Sequence, residues 1–208
     1  MRIAVLSVVM VIAAALAGCG GGGSTGTTNA SAAKAKRLLP ESVYRVPSLS
    51  MEPTLRIGEK VLAPPGAPKV GAIVVYRMPE GAAEGECGPK PHIVKPGGAA
   101  CVESLPTPSS LLAVKRVVAG PGDEIYIRAG HVYRKAAGAG SFVREQDSYA
   151  RPCGTTPECN FPTPIGIPAG EWYLLGDNRG ESLDSRLSGA IPTSWIVGVV
   201  EKVEKARK

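Results

Sequence analysis

Glycine and proline break this chain into segments too short for long helices. It holds 26 glycines and 19 prolines in 208 residues. Glycine admits backbone conformations that a helix excludes, and proline removes a helical N–H donor. Beyond the N-terminus, the segments between these breaks alternate and carry β-branched residues. The expected fold is therefore mainly β, built from antiparallel strands and turns. Hydrophobic residues make up 44% of the chain, enough for a packed interior, and the length allows one domain or one core with a small satellite.

Strands are expected in "SVYRVPS", "KVLAP" and "GAIVVYRM", then in "LLAVKRVVAGPGDEIYI", which reads as a strand, a Gly-Pro-Gly turn and a second strand. "HVYRK" pairs naturally with "EIYIR" across Ala129-Gly130 as a hairpin. "EWYLLGDNR" is a strand ending in a polar loop, and "WIVGVVEKVEK" is a single closing strand. Two regions lack this pattern: 79–108, which reads as a long surface excursion, and 136–170.

The N-terminus carries a targeting signal. Arg2 precedes an apolar run from Ile3 to Ala17, shorter than the roughly 20 residues of a spanning helix. The run ends in Leu16-Ala17-Gly18-Cys19, which resembles the lipobox of bacterial lipoproteins, whose cysteine is acylated. A flexible tether, 19–40, follows a signal segment 1–18, and its Lys34, Lys36 and Arg37 suit anionic membrane lipid. The rival reading is an uncleaved signal anchor. One basic residue before the run and three after it oppose the positive-inside rule either way. Ser31 and Lys34 match a Ser-x-x-Lys pattern, but a tether cannot hold their geometry, so the match is read as chance. The +6 net charge is dispersed and no basic motif is interleaved with aromatics, so nucleic acid is not expected as a partner.

Setting Cys19 aside leaves Cys87, Cys101, Cys153 and Cys159. An even number in an exported chain suggests disulfides, and the local pairs Cys87–Cys101 and Cys153–Cys159 are preferred. No Cys-x-x-Cys pair or histidine spacing supports zinc, so no metal is expected.

"PSLSMEPTL", residues 47–55, holds two serines that could act as nucleophiles. A hydroxyl needs a positioned base. The two histidines are poorly placed, because His92 lies in the irregular excursion and His131 lies mid-hairpin. A Ser-His-Asp triad is disfavoured, which leaves lysine. A lysine acts as a base only when neutral, so its ordinary pKa of about 10.4 must fall by roughly 3 units, on the order of 4 kcal/mol, which burial among apolar groups can supply. Lys115, in "LLAVKRVV", is the one lysine in such a setting. Alternation puts Lys115 and Arg116 on opposite faces of the strand; pattern alone leaves open which of them points inward.

"VPSLSMEPTL", "GAIVVY", "VKRVVAGPGDEI" and "GDNRGESLDSR" resemble, in order and character, the four boxes of the bacterial type I signal peptidases, serine-lysine proteases that cleave signal peptides from exported proteins. The resemblance implies Ser50 as nucleophile and Lys115 as general base. It implies an oxyanion hole from the Ser48 hydroxyl and the Ser50 backbone N–H, with Ser182 orienting the lysine. Asp177, Asn178, Arg179, Asp184 and Arg186 correspond to residues that brace the site, and Met51 and Pro53 to the turn and substrate floor.

The implied architecture is an antiparallel β-sheet catalytic core, 41–128 and 171–202, with a smaller inserted β-containing region at 129–170. No cofactor is implied. The implied partners are signal peptides of exported precursors, cut after Ala-x-Ala in an extended conformation, and membrane lipid. The catalytic domain would lie on the extracytoplasmic side of the cell membrane, held by lipid or by one N-terminal anchor. Two alternatives remain: a related peptidase dedicated to one pilin or conjugation protein, and a non-catalytic peptide-binding lipoprotein. The chain departs from the family in having Ala113 where an aromatic residue is common two positions before the lysine, so a less shielded lysine is expected. Its excursion is also longer than the family pattern suggests.

Overall fold

The structure, a computed structural model, describes residues 42–153 and 157–205. The expected signal segment, Cys19 and the tether to residue 40 lie outside the described residues.

Fourteen strands are the main regular elements of the described fold. They are β1 (Val43–Arg45), β2 (Lys60–Leu62), β3 (Ile73–Pro79), β4 (Glu86–Cys87), β5 (His92–Ile93), β6 (Pro108–Ala119) and β7 (Glu124–Arg128). After them come β8 (His131–Lys135), β9 (Val143–Arg144), β10 (Phe161–Gly166), β11 (Glu171–Leu175), β12 (Ile191–Pro192), β13 (Ile196–Val199) and β14 (Lys202–Glu204). One short helix, α1 (Ser185–Ser188), follows the polar loop. A five-stranded sheet runs β12-β11-β6-β3-β13, a four-stranded sheet β10-β7-β8-β9 and a three-stranded sheet β1-β2-β14, and β4 pairs with β5. All these pairings are antiparallel. The mainly β expectation is met.

β6 is the axis of the site. It lies at the centre of the five-stranded sheet, so its C-terminal half is covered on both faces. Val114 packs with Val46, Met51, Leu55, Val61 and Val75. Ala113 and Val117, on the other face, pack with Val74, Tyr76, Leu174 and Ile191. Lys115 shares the face of Ala113 and Val117 and is buried, while Arg116 is partly exposed and bonds to Asp177 and the Gly71 carbonyl. The alternation argument fixed only the relation between the two side chains; packing on both faces decides which is enclosed.

Three features differ from the sequence reading. First, "WIVGVVEKVEK" forms two strands in two sheets, β13 beside β3 and β14 beside β2. The chain changes sheets where Gly198 crosses the Ala63 backbone, since a Cβ there would sit 2.0 Å from the Ala63 carbonyl oxygen. Second, the 79–108 excursion is not confined to the surface. Val94, Ala100 and Cys101 join the core that holds Ile125, Phe161 and Tyr173, and the Tyr173 hydroxyl donates to the Cys101 carbonyl at 3.1 Å. The Cys87–Cys101 disulfide, Cα–Cα 5.7 Å, closes a loop whose restriction contributes about 3 kcal/mol, and its residues are small enough to bury. Third, β7 pairs with β10 as well as with β8, its expected hairpin partner, so the four-stranded sheet draws on both sides of the boundary at 128.

Candidate active site

The "PSLSM" stretch enters a single 3-10 turn, Leu49–Met51, because Met51 is pulled into the core with Leu55 and Val114. That anchoring buries Ser50, which is 5% exposed, and leaves Ser48 and Leu49 toward solvent. Met51 thus supports the turn from within, and Pro53 is exposed beside it.

β6 brings Lys115 to the same point. Its Nζ lies 2.5 Å from the Ser50 Oγ and donates to it, and the Ser48 hydroxyl donates to the same oxygen at 3.1 Å. Lys115 is 4% exposed, and among the described residues no carboxylate forms an ion pair with it. Burial pulls its pKa down to about 8; the charges of Asp184 and Asp177 oppose that fall and Arg186 aids it. Loss of solvation outweighs the nearby carboxylates, so a large fraction of this amine is neutral in mildly alkaline water. Across 2.5 Å a neutral amine can accept the proton that Ser50 must lose.

Ala113 does not leave the lysine open to water. Tyr76 stands directly opposite Ala113 on β3, on the same sheet face as Lys115, and is itself fully enclosed. Burial, reinforced by the charge of Asp184, raises the pKa of the Tyr76 hydroxyl and keeps it neutral. An aromatic ring from the neighbouring strand therefore covers the side where the sequence suggested a gap.

The loop after β11 closes the site from the other side. The Asn178 N–H donates to the Ser50 carbonyl at 3.0 Å and its Nδ2 to the Leu49 carbonyl at 3.3 Å. Gly176 packs so tightly that a Cβ would fall 2.5 Å from the Ser50 carbonyl oxygen and 2.3 Å from the Ser182 Oγ. Only glycine fits between these two serines. The Ser182 hydroxyl is buried and has no hydrogen-bond partner among the described residues, so it lies near Ser50 without bonding to Lys115.

Below the lysine, Asp184 caps α1 and accepts from the Gly176 N–H at 3.0 Å and from Arg186 Nε at 2.8 Å. Burial alone would raise the Asp184 pKa, but the charge and hydrogen bonds of Arg186, the Gly176 N–H and the charge of Lys115 hold it below the usual carboxylate value. Arg186 also donates to the Arg179 carbonyl at 2.6 Å and to the Ser182 carbonyl at 3.1 Å. Asp177 holds Arg116 bidentately at 2.9 and 2.7 Å. The bracing residues read from the sequence therefore converge on one place.

His92 is exposed on the excursion, and His131 pairs with Asp147. Neither takes part in the Ser50 contact. Cysteines pair locally, Cys87 with Cys101 and Cys153 with Cys159. Among the described residues no group of three or more His, Cys, Asp or Glu side chains could hold a metal ion. Tyr76, Gly176 and Asp147 were not singled out from the sequence. Tyr76 reads there as an ordinary strand residue, and Asp147 lies in a segment without pattern.

The sequence profile of the signal peptidase family, peptidase S26, matches residues 28–203. The chain belongs to this family. It is 29% identical over 158 residues to thylakoidal processing peptidase 1, chloroplastic, of Arabidopsis thaliana, covering 74% of this chain and 38% of that one. It is 27% identical over 158 residues to a probable signal peptidase I-1 of Synechocystis sp., covering 74% and 65% of the two chains. With signal peptidase I V of Bacillus subtilis the identity is 31% over 110 residues, 47% of this chain and 60% of the other. The matched region thus spans less than two thirds of each of these relatives.

Proposed function

We propose that the protein is a membrane-associated serine endopeptidase that cleaves N-terminal signal peptides from exported precursor proteins. The observation that carries this reading is the 2.5 Å contact between the Ser50 Oγ and a buried Lys115 whose pKa is drawn down to about 8. Neutral Lys115 takes the Ser50 proton as the hydroxyl oxygen attacks the scissile carbonyl, and returns it to the leaving amine. The resulting acyl-enzyme is opened by water, which the same amine deprotonates. The oxyanion donors are the Ser50 N–H and the Ser48 hydroxyl, which turns from the Ser50 Oγ to the substrate oxygen as charge develops there. The Ser182 hydroxyl, which has no hydrogen-bond partner among the described residues, would take up and orient the amine only as the amine exchanges its proton.

The sheet supports an extended substrate. β11 pairs with β6 only from Arg116 to Ala119, and among the described strands nothing pairs with the earlier part of β6 on that side. A peptide added there would run toward Ser50 with main-chain hydrogen bonds and alternating side-chain pockets. Alanine before the cut follows from the family resemblance.

Among the described residues no helix is long and apolar enough to cross a membrane. Membrane attachment therefore rests on the segment before residue 41, through a lipid on Cys19 or a single anchor at 3–17. Cys19→Ser separates these, since it blocks acyl labelling only in the first case. The activity is tested by incubating the protein with a panel of precursors and reading the new N-termini by mass spectrometry. Cuts after Ala-x-Ala in several precursors that are absent with Ser50→Ala support the proposal. Cleavage of a single precursor would point to a dedicated peptidase, and no cleavage at all would refute the assignment.

A further inference from the structure

Arg179 is 1% exposed and its guanidinium cannot shed its charge. Its Nε donates to the Gly176 carbonyl at 3.0 Å, its Nη1 to the Gly130 carbonyl, and its buried Nη2 has no hydrogen-bond partner among the described residues. Among those residues one carboxylate forms an ion pair with it: Asp147, at 3.5 Å, from the irregular segment far earlier in the chain. Asp147 is also buried. His131 Nδ1 lies 2.9 and 3.0 Å from its two oxygens, and Arg144, 53% exposed, stands 3.8 Å away.

The segment around Asp147 runs beside the loop that closes the active site. The Tyr149 ring lies 3.9 Å under the Arg116 guanidinium that binds Asp177. The Arg151 N–H donates to the Asp177 carbonyl, and the Arg179 N–H to the Arg151 carbonyl. On its other side the same loop puts Gly176 against the Ser50 carbonyl and the Asn178 N–H upon it. A path of direct contacts therefore leads from Asp147 through Arg179 to Gly176 and Ser50.

We propose that Asp147 is a positioning residue for the reaction: it is the counter-ion that keeps Arg179 buried, and Arg179 in turn holds Gly176 and the Asn178 loop against the nucleophile's carbonyl. This rests on the reading of Ser50 and Lys115 as the reacting pair. Without the carboxylate charge the guanidinium is left buried and uncompensated, so it moves toward water. The Gly176 carbonyl loses its donor, and Ser50 drifts from the 2.5 Å contact with Lys115. The chemical step suffers while the β6 edge, where substrate would pair, is untouched.

The test uses purified Asp147→Asn, Asp147→Glu and the double variant Asp147→Asn with Arg179→Met. Asp147→Asn keeps the side chain's shape and removes its charge. Its kcat for a cleaved precursor peptide should fall by about tenfold or more, as misplacement of reacting groups predicts, with KM unchanged within about twofold. Asp147→Glu should recover most of that loss. Removing both charges should give a protein that melts at a higher temperature than Asp147→Asn alone, because an uncompensated buried charge is worse than no pair. An Asp147→Asn enzyme with wild-type kcat, or a double variant that melts below Asp147→Asn, overturns the proposal. Should Asp147→Asn not fold, the double variant decides: folded sustains the proposal, unfolded overturns it. Melting does not depend on which peptide is cut, so an error in the assigned activity would show separately, as absence of cleavage by the wild type.

Discussion

Lys115 and Arg179 are both buried cations, one on the central strand and one on the closing loop, and the protein treats them differently. Lys115 has no ion-paired carboxylate among the described residues, and burial pulls its pKa down to about 8. Arg179 is given Asp147. The chemistry of the two groups explains the contrast: an ammonium can answer burial by losing its proton, whereas a guanidinium cannot. In the proposed roles, and among the described residues, the base has no ion-paired carboxylate and the brace has one. Asp184 occupies a middle position. Its carboxylate is committed to Arg186 and the Gly176 N–H, so it raises the lysine's pKa only through its field.

The largest expected effects break the lysine side of this contrast. Ser50→Ala and Lys115→Ala should each reduce cleavage to background, and the double variant should be hardly worse, because nucleophile and base act as a unit. Lys115→Arg should be equally inactive, since it places a permanent charge where no partner waits. His92→Ala and His131→Ala should retain cleavage. Peptide turnover by this set of variants checks the assignment, and substantial activity in Lys115→Arg would remove the dyad.

Asp184→Asn sharpens the comparison. Breaking its buried pair with Arg186 should cost about 3–5 kcal/mol of stability, measurable by denaturant unfolding. Its charge raises the Lys115 pKa, so in whatever fraction remains folded and active the acidic limb of the pH profile should move to lower pH. Movement to higher pH would mean that Asp184 does not act on the lysine as described. A smaller effect belongs to the excursion. Replacing Cys87 and Cys101 by serine should lower stability by about 3 kcal/mol through lost loop restriction. The Cys101 N–H donates to the Arg186 carbonyl, so some loss of turnover should accompany it.

How much of this was legible in the sequence follows the same division. Residue type and setting make Lys115 a candidate base, but the choice of Ser50 over Ser48, and of Lys115 as the reacting amine, follows only from the resemblance to the signal peptidases. Which of Lys115 and Arg116 is enclosed could not be read, because a central strand is covered on both faces and alternation then loses its meaning. The aromatic cover of the lysine was sought two residues away along the strand, at Ala113, but comes from Tyr76 across it; pairing register is a tertiary fact. Asp147 was invisible for a similar reason. It lies in a segment with neither helical nor strand period, and only the fold reveals Arg179 as its partner. The split of the last predicted strand follows from one close backbone crossing at Gly198, which a run of apolar residues conceals.

The central claim is that Lys115 works as a neutral base, and the pH dependence of kcat/KM for a cleaved precursor tests it most directly. Below the lysine's pKa the amine is protonated and cannot take the Ser50 proton, and above it the amine is free to do so. The rate should therefore rise about tenfold per pH unit through the acidic range, bend near pH 8, the value to which burial draws Lys115, and level off above it. A profile that stays flat from mildly acidic to neutral pH would contradict the account.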